Sequence, residues 1–176
     1  MENIENLKIE FISEMDCIVR PGMDKLKAWL LKGDFFEAPA SKDHHLNYAG
    51  GLLAHSLNVF KLFNEKNERY LLGLPMDSVR LCGLFHDLCK ANFYRKGPNG
   101  YYYDDKFPIG HGEKSVILLQ HFIDLTPEEC LIIRWHMAGF DISSTNKGAY
   151  YTALKKFPAC LALHTADYEA TVLMES

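Results

Sequence analysis

Imidazoles and carboxylates recur in this chain inside stretches that otherwise read as buried helix, and few folds tolerate that. His55 lies in Gly51-Leu52-Leu53-Ala54-His55-Ser56-Leu57, and His86-Asp87 ends the run Leu81-Cys82-Gly83-Leu84-Phe85. His111, His136 and Asp167 follow, so neighbouring sites stand 24 to 31 residues apart. Polar groups among core side chains carry a desolvation cost unless something satisfies them. Neutral imidazole nitrogens and carboxylate oxygens are good ligands for divalent transition metals. One arrangement satisfies all five sites together: separate helices, each delivering ligands to a single buried metal centre.

The spacing of apolar residues supplies the helices. Residues 4 to about 33 carry two short helical patterns broken at Pro21-Gly22, the second closed by Gly33 as a C′ glycine. After an irregular stretch over 34–49, Gly50-Gly51 opens a long helix to about Tyr70, with Leu52, His55, Val59 and Phe63 at helical spacing. Pro75-Met76-Asp77-Ser78 announces the next helix, which carries His86 and Asp87. Residues 92–105 break the pattern and read as a small β-hairpin, with Asn99-Gly100 as a favoured turn pair. Helix returns near His111 and runs to about Ile123. Thr126-Pro127-Glu128-Glu129 is a capping box with proline at the first helical position, and it starts the helix carrying Trp135-His136. The tail from Ala149 to Met174 is helical, restarting at Pro158. The expectation is one all-α domain over 1–176 with a hairpin insertion.

Composition narrows the function classes. A net charge of −4 and a pI near 6.0 leave no basic field for a long nucleic-acid groove, though a local phosphate pocket is compatible with them. The five cysteines form no CxxC pair, which points away from a disulfide framework and toward a reducing cytoplasm. Nothing in the sequence has the length or apolarity of a membrane span.

His55, His86, Asp87 and Asp167 together would make one N2O2 metal site. His111 and His136, with a bridging Asp87, would hold a second ion. Four histidines and two aspartates favour manganese, iron, cobalt, nickel or zinc over an oxygen-only magnesium site.

The ordered set His55, His86-Asp87, Asp167 resembles the His…His-Asp…Asp signature of the HD-domain superfamily of metal-dependent phosphohydrolases. His111 and His136 match the extra histidines of its dinuclear branch. The segment from Asn47 to Leu57 is similar to the surroundings of the first ligand in HD domains of bacterial 3′→5′ exoribonucleases. His86-Asp87-Leu88-Cys89-Lys90 resembles the His-Asp-x-x-Lys form of several dinuclear members, and Ala166-Asp167 the family's closing Ala-Asp. The likeness covers about residues 42–170, leaving 1–41 as a helical extension. Some dinuclear members have a His-His pair where this chain has His136-Met137.

The resemblance implies a helical HD/phosphodiesterase-like fold and hydrolysis of a phosphoester of a nucleotide or nucleic-acid end. Two divalent ions and a water bridging them would serve the reaction, with Asp87 and Lys90 as catalytic residues. Lys90, three residues after Asp87, would share its helix face and neutralise phosphoryl charge or protonate the leaving oxygen. Lys114 beside the helix start at His111 and Arg95 on the hairpin are further phosphate contacts. The implied partner is a small phosphorylated substrate, a nucleotide or a short oligonucleotide. HD-fold mixed-valence di-iron oxygenases share the ligand order, and a non-catalytic nucleotide-sensing module is the remaining alternative. His44 and His45 read as a solvated loop, His121 and His164 as surface or packing residues, and the tyrosines 101–103 as hairpin packing.

Overall fold

The computed structural model describes residues 3–98 and 100–175. Eight α-helices and one two-stranded hairpin appear among them: α1 (Ile4–Asp16), α2 (Met23–Lys32), α3 (Gly51–Arg69), α4 (Met76–Phe85), β1 (Tyr94–Gly97), β2 (Gly100–Tyr103), α5 (His111–Gln120), α6 (Pro127–Arg134), α7 (Lys147–Lys156) and α8 (Ala159–Glu169). The expected all-α fold with a hairpin insertion is present. In the antiparallel hairpin Tyr94 pairs with Tyr103 and Gly97 with Gly100. The proposed turn pair lies partly outside the described residues, because Asn99 does. Among the described residues, no helix is long and apolar enough to cross a membrane.

One helix cap differs from the expectation and two other boundaries agree with it. Gly33 follows α2 with φ −88° and ψ −166°, extended backbone that any residue adopts, and not the left-handed cap expected of it. The left-handed glycine is Gly22, at φ +93° before α2. The capping box at α6 is complete: Thr126 Oγ1 accepts from Glu129 N–H, and the Glu129 carboxylate accepts from Thr126 N–H. Proline splits the tail as expected, with α8 starting just after Pro158.

α3 is the central helix, packed most extensively on α4 and α8 and also against α1. Its Leu52, Leu53, Val59 and Phe63 are fully buried. Phe11 of α1 meets Phe35, Phe36 and Phe85 at ring distances of 5.1–5.7 Å, tying the N-terminal helices to the end of α4. Two glycines permit the closest helix approaches. A Cβ on Gly83 of α4 would sit 2.7 Å from the Phe60 Cα of α3, and one on Gly112 of α5 would sit 2.2 Å from the Arg134 carbonyl oxygen of α6. Both contacts lie beside candidate ligands: Gly83 three residues before His86, Gly112 next to His111 and opposite the end of α6, two residues before His136.

Candidate metal centre

Two of the candidate ligand positions sit where a helix unwinds, not within it. α4 ends at Phe85; His86 still has helical angles, but Asp87 (φ −105°, ψ 23°) leaves them, and Leu88–Lys90 form one 3-10 turn. This corrects the expectation that His86, Asp87 and Lys90 share one α-helix. A 3-10 turn has three residues per turn, so residues i and i+3 eclipse. Lys90 therefore stands over Asp87, its backbone N–H donating to the Asp87 carbonyl at 2.9 Å and its Nζ 2.6 Å from Asp87 Oδ2. α6 likewise stops at Arg134, and His136 follows Trp135 in a turn. Leaving the helix frees these side chains from the fixed angular spacing of α-helical neighbours.

Five of the six predicted ligands converge. His55 Nε2 lies 3.2 Å from Asp167 Oδ1, 3.3 Å from His86 Nε2 and 3.7 Å from Asp87 Oδ2. His86 Nε2 is 3.5 Å from Asp87 Oδ2, and His136 Nε2 is 3.4 Å from Asp87 Oδ1. His55, His86, Asp87 and His136 are all buried. The sixth, His111, approaches the same carboxylate in company with Cys89: Asp87, Cys89 and His111 offer ligand atoms within 4.8 Å of one another, and Cys89 Sγ is 3.2 Å from His111 Nδ1. Cys89 was not among the predicted site residues.

The remaining ring nitrogens are tied off in the way metal-binding histidines require, with the second nitrogen held by a protein oxygen. His86 Nδ1 donates to the Gly83 carbonyl at 2.9 Å, and His136 Nδ1 to the Ile133 carbonyl at 2.7 Å. Their Nε2 lone pairs then point inward. Asp87 Oδ1 and His136 Nε2 are buried and make no hydrogen bond, although they face one another. Two lone pairs at that separation repel unless something positive lies between them: a proton, or a metal ion.

The charges fit the same account. Burial pushes the His86 imidazole down to about 4, leaving it neutral and ready to ligate. Burial also opposes charge on His55, but the Asp167 and Glu175 carboxylates outweigh it and raise His55 to about 9. Asp87 is buried as well, yet Lys90 and the histidines around it hold its carboxyl well below the usual range. The proton on His55 thus occupies a position that a divalent ion would take over, since metal binding displaces protons from its ligands.

Three residues that sequence reasoning set aside or missed complete the surroundings. Glu175 is the most consequential. Its carboxylate accepts from His55 Nδ1 at 3.0 Å and from Asn58 Nδ2 at 2.9 Å, giving a carboxylate–histidine pair behind the centre. A π-helical turn over Ala170–Met174 follows α8, and its wider winding brings Glu175 round to the face that carries Asp167. His164 Nδ1 donates to the His136 carbonyl at 2.7 Å. His45, expected in a solvated loop, is half-buried with neither ring nitrogen hydrogen-bonded, 5.0 Å ring to ring from His55. No periodicity marks these three.

The centre opens into a cavity of about 720 Å³ whose lining includes Asp87, Lys90, His136 and Asp167. Two predicted phosphate contacts do not line it. Lys114 is buried, ion-paired to Asp105 and stacked 4.9 Å from the Phe93 ring centroid. Arg95 pairs with Asp104 at 3.2 Å and Asp34 at 3.7 Å on the hairpin. Carboxylates near in the fold satisfied both cations, which their sequence neighbours could not reveal.

Comparison with known proteins places most of the chain within one family. Over 80 residues the chain is 32% identical to the dihydroneopterin 2′,3′-cyclic phosphate phosphodiesterase of Methanocaldococcus jannaschii, an alignment covering 43% of this chain and 32% of that protein. The chain thus spans about a third of the length of that relative. No solved structure matches it. A family model described as the HD domain matches residues 52–171, from the helix of the first histidine to just past Asp167. With more than half of its length inside that match, the protein belongs to the HD domain family.

Proposed function

We propose that the protein is a divalent-metal-dependent phosphohydrolase acting on a phosphoester of a nucleotide or nucleic-acid end. The observation that carries the reading is the pair Asp87 Oδ1 and His136 Nε2, buried, unbonded and 3.4 Å apart in a cluster with His55, His86 and Asp167. His55, His86, Asp87 and Asp167 would hold one ion; Asp87, His111 and His136 would hold a second. Such ions supply positive charge for phosphoryl oxygens and a water of lowered pKa.

The chain's own residues do the rest. Glu175 and the Gly83 and Ile133 carbonyls fix the ring orientations of His55, His86 and His136. Burial opposes charge on Lys90, but Asp87 beside it prevails and holds the ammonium protonated. Lys90 therefore serves as a fixed positive charge beside the phosphoryl group more than as a proton donor. Hydrolysis breaks one P–O bond, adds the water oxygen to phosphorus and leaves the proton on the departing alcohol. The cyclic phosphodiesterase relative supports a diester as the substrate form.

The test is metal analysis followed by a panel of phosphomonoesters and phosphodiesters, each with manganese, iron, cobalt, nickel and zinc. Metal-dependent cleavage is expected; silence of every ester with every metal would overturn the reading. Asp87→Ala should lose bound metal and lower turnover by more than the about 10–100-fold typical of losing an outer-sphere partner. Its helical circular dichroism should persist. Undiminished turnover in that variant would sink the mechanism.

A further inference from the structure

The cavity lining is mixed. Asp87, His136, Asp167 and Lys90 share it with Leu46, Met137, Phe140 and Tyr168, which supply its apolar wall. Phe140 is 76% exposed and Tyr168 55%, large values for aromatic rings bordering a cavity. Among the described residues neither ring is paired with another aromatic ring or with a cation. Their faces are available.

The backbone at this wall is strained. Leu46 (φ +46°) and Ala138 (φ +31°) are left-handed although neither is glycine. Such residues persist only where their surroundings over-determine them, often at ligand sites. Here they are over-determined. The Leu46 carbonyl accepts from Ala40 N–H at 3.2 Å and Tyr48 N–H at 2.9 Å. Ala138 is buried, with its N–H on the Trp135 carbonyl and its carbonyl on Asp141 N–H. Leu46 itself lines the cavity; Ala138 lies between Met137 and Phe140, so its turn presents both of them.

Charge limits the occupant further. Lys90 is the one lysine or arginine among the described lining residues, and it already neutralises Asp87. Asp167 and Glu175 share the wall with it. A polynucleotide depends on several cationic phosphate contacts, and this cavity has no track of them. A volume of about 720 Å³ falls in the range for one small ligand.

We propose that Phe140 and Tyr168 form a ring subsite, so that the substrate is a small ester with one phosphate at the metal centre and one planar heterocycle against these two side chains. Stacking against an aromatic face tolerates many rings, so the presence of a ring matters more than its identity. This rests on the phosphohydrolase reading and narrows it to small esters with one planar heterocycle and one phosphate over nucleic-acid ends.

The test compares four substrates on the metal-loaded protein: adenosine 2′,3′-cyclic phosphate, a pterin-bearing cyclic phosphate, ring-free glycerol 1,2-cyclic phosphate, and an oligonucleotide ending in a 2′,3′-cyclic phosphate. The two ring-bearing small esters should show KM values within about tenfold of each other and at least about tenfold below the ring-free ester, the scale of one base–aromatic stack. The oligonucleotide should gain nothing over the mononucleotide. Phe140→Ala and Tyr168→Ala should raise KM for the ring-bearing esters and collapse the ring preference toward unity, with a smaller change in kcat. Equal KM for ring-free and ring-bearing esters, or a preference that survives both substitutions, overturns the subsite while leaving the hydrolase reading intact. If no ester turns over, the hydrolase reading fails and calorimetry decides the subsite: adenosine 2′,3′-cyclic phosphate bound by the native protein and at least about tenfold more weakly by Phe140→Ala upholds it, and no binding overturns it.

Discussion

Glu175, outside the predicted ligand set, stands directly behind one candidate ligand, His55. It shares its carboxylate between His55 Nδ1 and Asn58 Nδ2 and is itself nearly inaccessible. Carboxylates placed behind a ligating histidine fix its tautomer and raise its basicity, and losing one costs about 10–100-fold in metal affinity. Glu175→Gln is therefore expected to weaken divalent-metal binding by that factor while Asn58 keeps a partner. Isothermal titration with zinc or manganese measures it; an unchanged affinity would show that His55 needs no such support. His45 is the contrasting case: its Nε2 lies 3.7 Å from the same carboxylate, yet neither of its ring nitrogens is hydrogen-bonded.

Among the elements, close helix approach does what no single side chain can. Gly112 touches the Arg134 backbone and Gly83 the Phe60 backbone, so a methyl group at either position forces two helices apart. Overpacking of this kind typically costs about 1–3 kcal/mol. Gly112→Ala and Gly83→Ala should each lower the denaturation midpoint accordingly. Each should also reduce metal uptake, because each contact lies beside candidate ligands. α6 is anchored separately by Arg20, whose guanidinium bonds both oxygens of the buried Glu129 at 2.9 and 2.5 Å. Burial alone would raise the Glu129 carboxyl; Arg20 outweighs it and lowers the pKa below the ordinary value. A carboxylate depressed in the folded state contributes stability above its unfolded pKa of about 4.3 and loses that contribution as pH falls through the folded value. Breaking a buried pair from one side costs about 3–5 kcal/mol. Urea melts of the native protein and Glu129→Gln should differ by about that much at pH 7. The gap should close as pH falls below about 4.

For the whole molecule, the centre joins helices from both ends of the sequence. His55 comes from α3, His86 and Asp87 from the end of α4, His136 from the turn after α6 and Asp167 from α8. An ion bound by all of them stabilises the folded state over the unfolded one, by about 2.7 kcal/mol when free metal stands at 100 times its Kd. Thermal melts should rise on metal addition and return to the metal-free value with a chelator. A melting temperature indifferent to both treatments would mean that the ligands do not act together.

The amino-acid sequence by itself determined the helices, the hairpin, the capping box of α6 and the identity of five of the converging residues. Those features depend on local chemistry: apolar spacing, turn residues, and imidazoles stranded among core side chains. It also carried the family, because the order of His and Asp sites survives as a linear pattern. Only the tertiary structure decided how the site is finished. Glu175 reaches His55 across 120 positions, and it does so through a π-helical turn that no periodicity announces. Lys114 and Arg95 read as phosphate contacts in sequence and are held by Asp105 and Asp104 in space. His86 and His136 read as helix residues but stand at or just beyond helix ends, where the backbone turns away and their side chains can meet on Asp87. Which polar group a buried charge finds is a property of packing between distant segments, and so it is settled only when the chain has folded.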